Sequence, residues 1–193
     1  YVKQKFNLDD AQLGLLLLSL PLASTLTNPF STVIINRFGM RATTIWGLVA
    51  MALAYSLPVN VPYLWMTAAT LGLMGVGIAF TNVAMNTCVT SIERQDGIFI
   101  MSTSHGMFSG GGMLGSALAS VLMGFKVPTA IHVAVVSITI LVLIFLVRPI
   151  IMGIHEEKRQ DNKAAKFAWP NRVLIGMIAI SLCTNITEGT MAD

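Results

Sequence analysis

Glu188, His105, Asn82, Asn86 and Asn185 are the side chains whose chemistry stands out most against their surroundings. Each lies inside a long apolar stretch, and Ser109 follows His105 by one helical turn. Amides and hydroxyls in such a setting can hydrogen-bond a polar solute, and an imidazole or carboxylate can carry a proton. An ionised carboxylate at mid-membrane costs roughly 2.5–3.5 kcal/mol on insertion scales, so Glu188 must face a cavity or a partner. The same residue types also serve a plainer purpose. Intramembrane asparagines bond neighbouring helices for about 0.6–2 kcal/mol, and a histidine can donate between helices. Both uses stay open for Asn82, Asn86 and His105. No nucleophile–base pair and no metal-ligand spacing accompanies them, so no enzyme, metal or cofactor site is expected.

The elements that must position these groups follow from composition. The chain has 193 residues, 54% hydrophobic and 11% charged, with a mean hydropathy of +0.73. A soluble domain carries about 25% charged residues. So few charges cannot cover a soluble surface, and an all-α polytopic membrane bundle is predicted, because helix satisfies every backbone group in lipid. Five apolar stretches are long enough to cross: residues 11–35, 42–57, 63–92, 97–125 and 129–147. A further partial stretch begins at Arg172. Asp9 and Gln12 stand three apart at the first of these, the spacing of a capping box. Asn28-Pro29 inside it is expected to kink the helix. Cys88 and Cys183 both fall in apolar segments and read as buried free thiols. The sequence opens on Tyr1 and closes inside an apolar stretch, with no signal-peptide pattern, so a piece of a longer chain is expected.

The cations assign the sides. Arg37, Arg41, Arg94, Arg148, Lys158, Arg159, Lys163, Lys166 and Arg172 fall on one side; Lys3, Lys5 and Lys126 fall on the other. The positive-inside rule makes the basic side cytoplasmic, with the PYLW of residues 62–65 at the outer interface. Cations spread over three loops without a binding fold do not indicate nucleic acid. The polar stretch 154–171 reads as a solvated linker.

Helical spacing sorts the polar groups into stripes. Gly75, Ala79, Asn82 and Asn86 form one on the third span, and His105, Ser109, Gly112, Ser116 and Ser120 form another on the fourth. Counted from the basic side, Asn82 lies near ~16 Å and His105 near ~12 Å, so the two can meet at similar depth. Ser181, Asn185 and Glu188 share a face of the last span, with Glu188 roughly 24 Å from Arg172. The glycines of SHGMFSGGGMLG (residues 104–115) predict close approach of a neighbouring backbone. His132, near the outer loop, reads as interfacial packing. The five full spans hold no carboxylate in their cores, since Asp9, Asp10, Glu93 and Asp96 are at loops. Any proton coupling then falls to His105, to Glu188 or to a group in helices that this sequence lacks.

The turn INRFGMR, residues 35–41, needs a left-handed glycine, and Gly39 fits. Arg37 and Arg41 can cap helix C-termini or hold lipid phosphates. This turn resembles the loop motif G-x-L-x-D-R-x-G-R-R between helices two and three of the major facilitator superfamily. Arg37, Gly39 and Arg41 match it; Asn36 stands in place of the usual Asp and Thr32 in place of Gly. FTNVAMN (80–86), SHGMFSGGG (104–112) and ITEGTMAD (186–193) are similar to segments of a MosC/YbjJ-like bacterial branch of that superfamily. Asn82 departs from that branch's usual Asp, and Gly110 from its Leu.

The resemblance implies a solute transporter of two six-helix bundles working by alternating access in a bacterial inner membrane, monomeric when full length. On that frame residues 1–10 are a periplasmic loop and 11–150 are helices two to six, with helix one missing. Residues 151–171 are then a cytoplasmic linker and 172–193 the start of helix seven. Without helix one, a packing face of the bundle is left bare. The weakened charge at Asn36 implies a weaker cytoplasmic latch between bundles. The expected cargo is a small polar, sugar- or inositol-like solute, with proton symport one way to drive it. The alternative is a proton-coupled exporter of drugs or metabolites, which the low aromatic content of 8% disfavours.

Overall fold

The computed structural model describes residues 1–154 and 175–176. The chain divides into two compact units, Tyr1–Glu157 and Lys158–Asp193. The first holds α1 (Val2–Lys5), α2 (Asp10–Phe38), α3 (Met40–Tyr55), α4 (Leu57–Asn60), α5 (Leu64–Asp96), α6 (Met101–Gly124) and α7 (Thr129–Gly153). With α3 and α4 taken as one span, the described residues form five helical segments long and apolar enough to cross a membrane. The result is a polytopic all-α membrane bundle.

Local chemistry sets the helix ends. The Gln12 amide donates to Asp9 Oδ1 at 2.7 Å, and the Asp9 amide donates to Gln12 Oε1 at 3.1 Å, completing the predicted capping box. From there α2 continues through Pro21 and Pro29 without interruption. One residue, Gly39, separates α2 from α3, at φ 84° and ψ 155°. The expected positive φ is present, but the backbone is extended rather than left-handed helical, in a region essentially confined to glycine.

Several boundaries differ from the sequence expectation, three of them for a local reason. The second span breaks at Ser56 and restarts as α4 with Pro58 in its first turn, where a missing amide costs nothing. The fourth begins at Met101 rather than at residue 97, because Gly97 takes a left-handed conformation and ends α5. Residues 2–5 form a helical turn within the predicted loop.

Three long-range hydrogen bonds mark the ends of the bundle. Arg41 Nη1 donates to the Met152 carbonyl at 2.7 Å, tying the start of α3 to the last turn of α7. There the guanidinium also meets the negative end of the helix dipole. At the opposite end Lys5 Nζ donates to the carbonyls of Val59 and Val61 at 2.9 and 2.6 Å. Lys3 pairs with Asp10 beside it. Hence α2, α5 and α7 run from the Lys5 end to the Arg41 end, and α3 runs back.

α5 is central, packed on α2 and α3, while α3 packs in turn on α7. Its buried side chains are small: among them are Gly75, Gly77, Ala79, Thr81 and Ala84. A Cβ at Gly75 would strike the Leu20 carbonyl, and one at Gly47 would strike Thr81 Oγ1. Small residues thus bring the backbones together where lipid supplies no hydrophobic drive between helices. Ile45, Ala52 and Ile144 form the apolar contact between α3 and α7. Two buried hydroxyls are met locally: Thr43 and Thr44 donate to the carbonyls of Gly39 and Met40 at 2.7 and 2.8 Å. Cys88 is buried, with its sulfur 3.7 Å from Thr44 Oγ1.

α6 differs from the other long helices in that none of its residues is buried. Among the described residues, nothing stands within 4 Å of a Cβ built at Gly106, Gly110, Gly111, Gly112 or Gly115. The close approaches predicted for these glycines are found instead at Gly47, Gly75 and Gly77.

Candidate functional site

Gly75, Ala79, Asn82 and Asn86 lie on one face of α5, and that face is used in two ways. Gly75 and Ala79 are buried, Gly75 against Leu20 and Ala23 of α2. Further along, Asn82 is exposed and Asn86 half-buried. Asn86 Nδ2 donates to Asn82 Oδ1 at 3.2 Å, so the two amides orient one another along the helix. Thr90 Oγ1 continues the polar line by donating to the Asn86 carbonyl at 2.9 Å. The pair leaves an amide donor and an acceptor on the Asn82 side, both uncharged.

α2 contributes a group that the sequence stripes do not reveal. Ser31 stands eleven residues beyond Leu20, as Asn86 stands eleven beyond Gly75, and α2 and α5 run parallel. Equal helix rise places Ser31 level with Asn86, and eleven residues return each helix to nearly the same face. Ser31 is fully buried, and its hydroxyl has no hydrogen-bond partner among the described residues. Serine is common at helix interfaces, so only the pairing of the two helices identifies it.

His105 and Ser109 are exposed on α6. No hydrogen bond joins either to Asn82 or Asn86 among the described residues. Ser116 and Ser120 spend their hydroxyls on their own helix, donating to Gly112 and Ser116 carbonyls at 2.9 and 3.0 Å. What fixes α6 is Glu93: its Oε1 accepts the amides of Ile100 and Met101, both at 2.7 Å. The sequence places Glu93 only at a loop; its partners lie seven and eight residues on, beyond the Gly97 turn. Asn185 and Glu188 lie outside the described residues, as does Cys183.

The turn residues separate in role. Arg41 holds α7 through the Met152 carbonyl. The Arg37 guanidinium stacks over the Phe38 ring, 5.5 Å from its centroid. Asn36 is exposed. Among the described residues no three His, Cys, Asp or Glu side chains converge as a metal site would require.

Comparison with known proteins follows the same lines. The chain matches the family described as Major Facilitator Superfamily over residues 1–192. It is 36% identical over 149 residues to an uncharacterized MFS-type transporter of Yersinia pestis, covering 74% of this chain and 38% of that protein. It is 29% identical over 194 residues to an uncharacterized transporter of Sinorhizobium fredii, covering 97% of this chain and 50% of that one. The chain therefore spans half or less of the length of these relatives. No solved structure matches it.

Proposed function

Because the chain belongs to the major facilitator superfamily, we propose that the protein is a secondary-active transporter of a small polar solute, sugar- or inositol-like, working by alternating access. The observation that carries this reading is the Asn82–Asn86 pair, two uncharged amides that brace each other with Asn82 exposed. Such a pair offers a donor and an acceptor to hydroxyl groups without demanding a counter-charge. The segments around Asn82, His105 and Glu188 favour a MosC/YbjJ-like branch in a bacterial inner membrane. The Arg37, Arg41, Arg94 and Arg148 end is then cytoplasmic, and the complete protein a monomer.

His105 and Glu188 are the groups able to couple a proton. The test is uptake of labelled inositol and hexitols by the complete protein in sealed vesicles, with and without an inward proton gradient. Gradient-driven uptake lost in the His105→Ala, Glu188→Gln double variant supports symport. Uptake intact in that variant removes the coupling role, and drug resistance without polyol uptake replaces this reading with an exporter.

A further inference from the structure

Trp46 is 70% exposed on α3, yet two apolar grooves run along its flanks. One, of about 370 Å³, lies between α3 and α7 and is walled by Ile45, Val49, Leu141 and Phe145, with Arg148 in its lining. The other, of about 470 Å³, lies between α3 and the α2–α5 pair and is walled by Phe38, Ala50, Leu73 and Phe80. Ala42 and Trp46 line both, so Trp46 is the ridge that divides them. Each groove carries an arginine toward the basic end. Arg148 lines the first, and Arg37 stacks on Phe38, a wall of the second. Arg41, fixed on Met152, precedes the shared Ala42.

We infer that this face binds one anionic diacyl phospholipid, its two chains straddling Trp46 and its phosphate held by Arg148 and Arg37. Length supports the fit. Ala42 to Ala50 rises about 12 Å and Leu141 to Met152 about 16 Å. One leaflet of the hydrocarbon core is about 15 Å deep. The grooves therefore fill the leaflet next to the arginines, and the Leu73 wall of the second continues past mid-membrane. Charge supports it too: among the described residues Arg148 makes no ion pair or hydrogen bond, and a long cationic side chain near a helix end reaches to the headgroup level. Phe80 stands about 200° around α5 from Asn82, so this face turns away from the amide pair and is not a route for a polar solute.

The experiment is quenching of tryptophan fluorescence by chain-brominated phospholipids in the complete protein, with Trp46→Phe isolating the Trp46 signal. Brominated phosphatidylglycerol should quench Trp46 at a mole fraction about five-fold lower, per arginine engaged, than brominated phosphatidylcholine does. Arg148→Gln combined with Arg37→Gln should erase that preference, while Arg94→Gln should leave it. Unlabelled diacyl phosphatidylglycerol should relieve the quenching better than its single-chain lyso form. Equal quenching by the two brominated lipids, a preference that survives loss of both arginines, or equal competition by the lyso form would each overturn the assignment.

Discussion

The Glu93 carboxylate accepts the Met101 amide at 2.7 Å, binding the end of α5 to the beginning of α6. Ile100 donates to the same oxygen, so one side chain satisfies two amides of the next helix. A charged acceptor there also opposes the positive end of the α6 dipole. Glu93→Ala should raise hydrogen exchange at Ile100 and Met101 and lower stability by about 1–2 kcal/mol. Unchanged protection at both amides would show that the cap does not hold α6.

Glycines on α5 and α6 should respond in opposite senses to the same substitution. Gly75→Ala drives a methyl into the Leu20 carbonyl, and overpacking of this kind costs about 1–3 kcal/mol. Gly111→Ala meets open space among the described residues and gains helix propensity, so stability should hold or rise by up to about 1 kcal/mol. Thermal unfolding of both variants in one detergent tests the contrast, which fails if Gly111→Ala is the more harmful.

Gly39→Ala forces a side chain into the φ 84°, ψ 155° conformation that joins α2 to α3. The expected loss is about 1–3 kcal/mol, with membrane insertion unaffected. A melting temperature equal to that of the parent would mean that the turn relaxes freely.

Asn82→Leu removes the acceptor of Asn86 Nδ2 from an exposed position. Solute uptake by the complete protein should fall at least ten-fold, while expression and melting temperature stay near the parent values. Loss of stability without a separate loss of uptake would assign the pair to helix packing.

What the sequence could disclose depended on the distance between partners. Asp9 and Gln12 are three residues apart, and their capping box is legible as spelled. Gly39 is legible because a one-residue connection between two helices demands an unusual backbone. Glycine as a packing surface is not legible, since Gly75 and Gly111 differ only in what lies across from them. Ser31 is hidden for the same reason: that its hydroxyl is buried without a partner among the described residues emerges only once the helices pack. Glu93 reads as one more loop carboxylate until Gly97 turns the chain back to it. The apolar spans themselves survive with shifted ends, because hydropathy reports length well and local backbone reversals poorly.

α6 touches the bundle without burying a single residue, and this has a consequence for its azimuth. A packed helix is locked against rotation by side chains seated in its neighbours, and α6 has none so seated among the described residues. Among the described residues its rotational setting therefore rests on its tethers: residues 97–100 with the Glu93 clasp at one end, and residues 125–128 at the other. Within the described residues, the compass bearing of His105 is set by those two short connections. Among the described residues, a change in either connection turns the polar stripe of α6 without disturbing the cores of α3, α5 and α7.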